Sequence, residues 1–160
     1  DPAILRKKGF DDYIAGTYKG TPTAAGAQSG MQIIASQSGD FVRDTGRKVM
    51  ETLLQSHPDV TAVYAHNDEM AIGAIAALKA AGKQPGKDVI LCSIDGENAG
   101  IDAIVAGELG CSCESSPFFG PISHDTMMKY VNGETIPDWV VVTDRFFDAS
   151  NAKEFQGKQY

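Results

Sequence analysis

Short apolar runs in this sequence are repeatedly followed by small groups of polar and aromatic residues suited to gripping a hydroxylated molecule. Ser36-Gln37-Ser38-Gly39-Asp40-Phe41 follows Met31 to Ala35, and His66-Asn67-Asp68 follows Val60 to Ala65. Asp95-Gly96 follows Asp88 to Ile94, and Glu114-Ser115 follows Leu109 to Cys113. Carboxylates accept hydrogen bonds, amides both donate and accept, and an aromatic ring covers an apolar C–H face. That combination suits a sugar, whose dense hydroxyls are oriented best by charge-assisted hydrogen bonds. Each residue also has a purely structural reading. Asn67 or Asp68 can cap a helix, Asp95-Gly96 is a common turn pair, Phe41 can belong to the core, and Arg6 can be a solvated surface group.

Catalytic constellations are thin. The chain has no G-x-S-x-G elbow, H-E-x-x-H zinc motif or P-loop. His57, His66 and His124 are scattered without metal-ligand spacing. A hydrolase built on His66 and Asp68 would still lack a nucleophile. The expectation is a binding protein rather than an enzyme, with no cofactor and no metal. Three cysteines, Cys92, Cys111 and Cys113, leave one over if any pair forms. A C-x-C with one distant Cys is a poor zinc signature, so these read as buried thiols acting as small hydrophobes.

The elements that must position these groups alternate. Ile4, Phe10 and Ile14 mark a helix over about 3–15, and Met31 to Ala35 reads as a strand. Arg43 to Leu54 carries one apolar stripe of Val49, Met50, Leu53 and Leu54, and His57-Pro58-Asp59 stops it. Val60 to Ala65 reads as a strand, and Glu69 to Ala81 as an alanine-rich helix ending at Gly82. Asp88 to Ile94 is a continuous apolar run of the kind found in parallel sheets. Gly100 to Ala106 and Ile122 to Val131 read as helices, and Leu109 to Cys113 and Trp139 to Val142 as strands. Strands alternating with helices predict an α/β fold, a doubly wound parallel sheet with helices on both faces. In such sheets ligands bind beyond the carboxyl ends of the strands. The stretch Gly16 to Gly30 breaks the rhythm with four Gly and a Pro, and reads as a Gly-rich loop or insertion.

With 160 residues, 42% hydrophobic and 22% charged, the chain fits one globular lobe spanning residues 1–160. A formal charge of −7 argues against nucleic acid as a partner. No apolar run approaches the ~20 residues of a membrane span, and the opening residues through Lys8 do not read as a signal peptide.

The run Ala65-His66-Asn67-Asp68-Glu69-Met70-Ala71-Ile72-Gly73-Ala74 resembles a signature of ribose- and galactose-type periplasmic binding proteins. Ser93-Ile94-Asp95-Gly96, Gln37-Ser38-Gly39-Asp40-Phe41 and Arg6-Lys7-Lys8-Gly9-Phe10 are similar too, as are Ala106 to Leu109 and the segment around Gly133. The likeness is greatest to galactofuranose-binding receptors of ATP-binding-cassette importers, and covers the chain outside residues 16–30. It implies a C-terminal lobe with closing segments, half of a two-lobed receptor that closes on a monosaccharide and delivers it to a membrane permease. The implied location is periplasmic or extracytoplasmic. By the same resemblance, Arg6 donates to sugar oxygens, Phe41 packs on the sugar face, Asn67 bonds hydroxyls, Asp95 accepts from them, and Glu114 or Ser115 supplies a contact near the hinge. One departure is plain: a stretch like Gly20 to Ala25 precedes the Arg6-type helix in the family and follows it here. A sheet lacking the family's first strand leaves an edge at which two copies would pair, so a homodimer is a further expectation. The effector-binding domain of a sugar-responsive transcriptional repressor is the alternative reading. An interaction module that has lost ligand binding is a third.

Overall fold

The computed structural model describes residues 2–19 and 30–160, so the Gly-rich stretch expected over 16–30 lies mostly outside the described residues. The elements in chain order are α1 (Pro2–Ile14), α2 (Arg43–Ser56), β1 (Ala62–Tyr64), α3 (Asp68–Ala80), β2 (Ile90–Asp95), α4 (Asn98–Val105), β3 (Cys111–Glu114), α5 (Gly120–Val131), β4 (Phe146–Asp148) and α6 (Ala152–Phe155). The sheet order is β1-β2-β3-β4. The first three strands run parallel and β4 closes the edge antiparallel to β3.

Period-two alternation divides the sheet into two faces. Val63, Leu91, Ser93, Ser112 and Phe147 share one face through the registers Val63↔Leu91, Ser93↔Ser112 and Ser112↔Phe147. Leu91, Ser112 and Phe147 there are fully buried. Helices α3 and α4 cover this face, with α2 packed along α3 and α6 beside α4. The core joins Met50 and Leu54 of α2, Ala71, Ala74, Ile75, Ala77 and Leu78 of α3, Ile101 and Ile104 of α4, and Leu91. Helices α2 and α3 approach closely because neither Gly46 nor Gly73 carries a Cβ. One built at Gly73 would lie 2.2 Å from the Arg43 carbonyl oxygen. The opposite face, carrying Tyr64, Cys92 and Cys111, is met by α1, whose Phe10 stacks on Tyr64 with ring centroids 4.3 Å apart. The expected α/β sheet with helices on both faces is therefore present, thinly covered on one side.

Two expected strands do not form. Residues 30–39 have no regular structure and expose Met31, Ile33 and Ile34. The Trp139 to Val142 run is likewise irregular, with Trp139 80% exposed. A strand needs a neighbour with which to pair its N–H and C=O groups, and among the described residues neither run is a paired strand of the sheet. The last strand is instead Phe146–Asp148, anchored by the buried Phe147. No helix among the described residues is long and apolar enough to cross a membrane.

Candidate functional site

The carboxyl ends of β1, β2 and β3 bring the expected residues to one rim. Asn67 follows β1 and is the N-cap of α3, its Oδ1 accepting from the Met70 N–H at 3.0 Å. Its Nδ2 donates to the Phe41 carbonyl at 3.1 Å. The capping reading of Asn67 thus holds. Phe41 is not a core residue: its ring is exposed, on a backbone at φ +59°. A bulky residue in the left-handed region is held there by its surroundings, here by the bond from Asn67.

Asp95 ends β2 at φ +123°, joining Asp40 and Phe41 as a non-glycine residue at positive φ. Arg6, on α1, reaches over to it. Its Nη2 donates to Asp95 Oδ1 at 2.9 Å, and its Nη1 to the His66 carbonyl at 2.6 Å. Both side chains are mostly buried, 18% and 17% exposed, so Arg6 is not a solvated surface group. Burial pushes the Asp95 carboxyl above the usual range, with the charge and hydrogen bond of Arg6 opposing that rise. Ser115, just past β3, donates its N–H to the Asp95 carbonyl at 3.0 Å.

Glu114 is placed differently. It pairs across the register with Asp95, but its carboxylate is taken by Arg145. The Arg145 Nε donates to Oε2 at 2.7 Å, its backbone N–H donates to the same oxygen at 2.9 Å, and its Nη2 donates to Oε1. That guanidinium holds the Glu114 carboxyl below its usual range. Arg145 in turn sits over the rings of Phe147 and Phe155, at 5.2 and 4.9 Å from their centroids. Between the two hinge candidates, the structure leaves Ser115 open to the rim and Glu114 clamped.

Three further residues support this rim; the sequence offered Asp68 only as a strand-end group or helix cap and gave no sign of the other two. Asp68 is fully buried and accepts from Ser93 Oγ, Ser112 Oγ (2.7 Å) and the Glu97 N–H (2.7 Å). It ties the start of α3 to β2, β3 and the β2–α4 turn. Burial raises its carboxyl, and those donors oppose the rise. Tyr160 places its hydroxyl on the carbonyls of Asp95 (3.1 Å) and Ser115 (3.2 Å), bridging two rim strands. Arg145 is the third. Asp68 carried a signal in its capping position; Arg145 and Tyr160 carried none, because their partners lie 31 to 65 residues away. Among the described residues, no group of three or more His, Cys, Asp or Glu side chains is arranged to hold a metal ion.

The rim gathers fixed donors and acceptors around an exposed ring, an arrangement suited to a hydroxylated molecule. Comparison with known proteins points the same way. The model of the periplasmic binding protein domain matches residues 1–135. The galactofuranose-binding protein YtfQ of Escherichia coli (strain K12) is 40% identical over 144 residues, 88% of this chain and 42% of that protein. The ribose import binding protein RbsB of the same strain is 39% identical over 129 residues, 77% of this chain and 43% of that protein. The crystal structure of a galactofuranose binding protein superposes with a TM-score of 0.84 at 37% identity, covering 98% of this chain and 51% of that one. The arabinose transporter component of Shewanella sp. ANA-3, bound to L-arabinofuranose, superposes at 0.82 with 33% identity, covering 98% and 49%. The chain thus spans about half the length of the relatives it matches. These relatives are binding proteins rather than enzymes, and several serve sugar import. On the match of the family model over residues 1–135 and the superposition of the folds, this chain belongs to the periplasmic binding protein domain family.

Proposed function

We propose that the chain is one lobe, with its closing segments, of a periplasmic receptor that binds a monosaccharide in furanose form for an ATP-binding-cassette importer. The observation that carries this reading is the Arg6–Asp95 pair, 2.9 Å apart at the strand ends beside Asn67, Phe41 and Ser115. A sugar hydroxyl both accepts and donates. Inserted at this pair it accepts from Arg6 and donates to Asp95, replacing a desolvated ion pair with two charge-assisted hydrogen bonds. Asn67 keeps a second N–H and a second lone pair for a neighbouring hydroxyl. The exposed Phe41 ring supplies a C–H platform, and Ser115 offers a hydroxyl near the hinge. Glu114 serves the rim by holding β3 through Arg145.

The furanose preference is supported by the names of the similar proteins, which bind galactofuranose and arabinofuranose. The exposed apolar residues of α5 and of the Trp139 region support a two-lobed whole, because a second lobe of about this size would cover them.

The test is calorimetric titration of the chain with galactofuranose, galactose, ribose and arabinose, repeated with Asp95→Ala. Saturable heat from a furanose sugar, lost in the variant, is the expected result. Equal heats from the chain and the variant would remove Asp95 from the site. Silence for every sugar, persisting after the lobe missing from this chain is supplied, would overturn the receptor reading.

A further inference from the structure

Cys92 of β2 and Cys111 of β3 are direct cross-strand partners on the thinly covered sheet face, in one row with Tyr64 and Asp148. Both are half-buried, and the register sets them directly opposite each other. Cys113 lies on the same face one row along, opposite Ile94, and is exposed. We propose that Cys92 and Cys111 are a disulfide site: exposure to a disulfide-bearing oxidant joins them and leaves Cys113 as the single free thiol.

Geometry selects this pair among the three. Neighbouring strands run about 4.8 Å apart, inside the ~4.4–6.8 Å separation of Cα atoms that a disulfide bridges. Cys111 and Cys113 are two residues apart on one strand, about 6.6 Å along it, at the far limit of that range and with parallel Cβ vectors. Cys92 and Cys113 are offset diagonally, about 7–8 Å apart by the usual spacing of such neighbours.

The chemistry balances with an oxidant of the glutathione-disulfide type. The Cys92 sulfur attacks one sulfur of the oxidant, forming a mixed disulfide and expelling the first oxidant thiolate, which takes up a proton. Cys111 then gives up its proton and attacks the Cys92 sulfur, expelling the second oxidant thiol. Two protein thiols are oxidised to one disulfide and one oxidant disulfide is reduced to two thiols. The order of the two cysteines can be reversed without changing the product, because they are direct register partners. The bond would fasten β2 to β3 three residues ahead of Asp95 and Glu114. It depends on no particular sugar, so it stands or falls apart from the receptor reading.

The experiment is a thiol count. The purified chain is equilibrated with oxidised and reduced glutathione, alkylated under denaturing conditions and weighed by mass spectrometry, with peptide mapping of any linkage. One alkylated cysteine, a peptide joining residues 92 and 111, and a thermal midpoint about 5–10 °C above that of the reduced chain are expected. Cys113→Ser should then show no free thiol, while Cys92→Ser and Cys111→Ser each show two. Three free thiols in the oxidising buffer, or linkage through Cys113 in the native chain, would overturn the proposal.

Discussion

Glu97 stands at the start of α4 with no side-chain cap bond, facing the carboxylates of Asp68, Glu69 and Asp95. Burial first, then those like charges, push its carboxyl from 4.5 to about 7, with Arg43 opposing. Between those two values the folded chain holds a proton that the unfolded chain has released, so unfolding releases a proton and stability falls as pH rises through the window. The raised carboxyls of Asp68 and Asp95 act in the same direction, whereas the lowered Glu114 loses its contribution only in acid. Glu97→Gln removes the Glu97 share alone. Urea unfolding at pH 5 and pH 8 should therefore show a wild-type midpoint that drops more steeply with pH than the variant's. Parallel profiles would mean that Glu97 titrates as an ordinary surface carboxylate. Part of this scale was legible in the sequence. Asn67 and Asp95 lie at the carboxyl ends of β1 and β2, where the apolar runs before them predicted strand ends, and Arg6 and the Phe41 carbonyl are bonded to them. The Arg145 clamp on Glu114 was not legible, since an arginine 31 residues away signals no partner in the sequence.

The helix pair α2 and α3 sets where Asn67 and Arg43 stand, and its closeness rests on glycine. In a helix, Gly→Ala favours folding by up to about 1 kcal/mol through backbone entropy. At Gly73 the added Cβ would meet the Arg43 carbonyl oxygen at 2.2 Å and the Arg47 nitrogen at 2.7 Å, both backbone atoms that move only with the helix. Overpacking costs about 1–3 kcal/mol, so repulsion exceeds the propensity gain. Gly73→Ala should destabilise the chain by roughly 1–2 kcal/mol, read as a lower urea midpoint at unchanged slope. Stabilisation would show that α2 and α3 can separate at little cost. Helices were legible because their apolar stripes and stop signals are local. Strands were less so: Met31 to Ala35 and Trp139 to Val142 have strand composition but form no strand, whereas Phe146–Asp148 is only three residues long and gains its place from pairing with β3.

At the scale of the whole molecule the chain divides into a packed body and a segment with little to pack on. Helix α5 buries no residue, and Tyr130, Val131 and Trp139 are exposed. Beyond that segment the chain returns to the body. Phe147 is fully buried, Arg145 grips Glu114, and Asn98 holds the backbone of Gln159 at both its N–H and its carbonyl. The chain thus leaves the core after β3 and re-enters at β4, and under the proposed two-lobed reading a second lobe would cover the apolar residues between. Proteases cut where backbone is exposed and few contacts must break. Chymotrypsin at low ratio should therefore cleave first after Phe118, Phe119, Tyr130 or Trp139, and not at the buried Leu78, Leu91 or Phe147. The nicked chain should keep its circular dichroism and elute as one species, because β4 and α6 are held by packing rather than by the connecting segment. Release of the C-terminal piece on nicking would show that β4 is held by its covalent tether. First cuts inside α3 or β2 would show that the body itself opens before the excursion does.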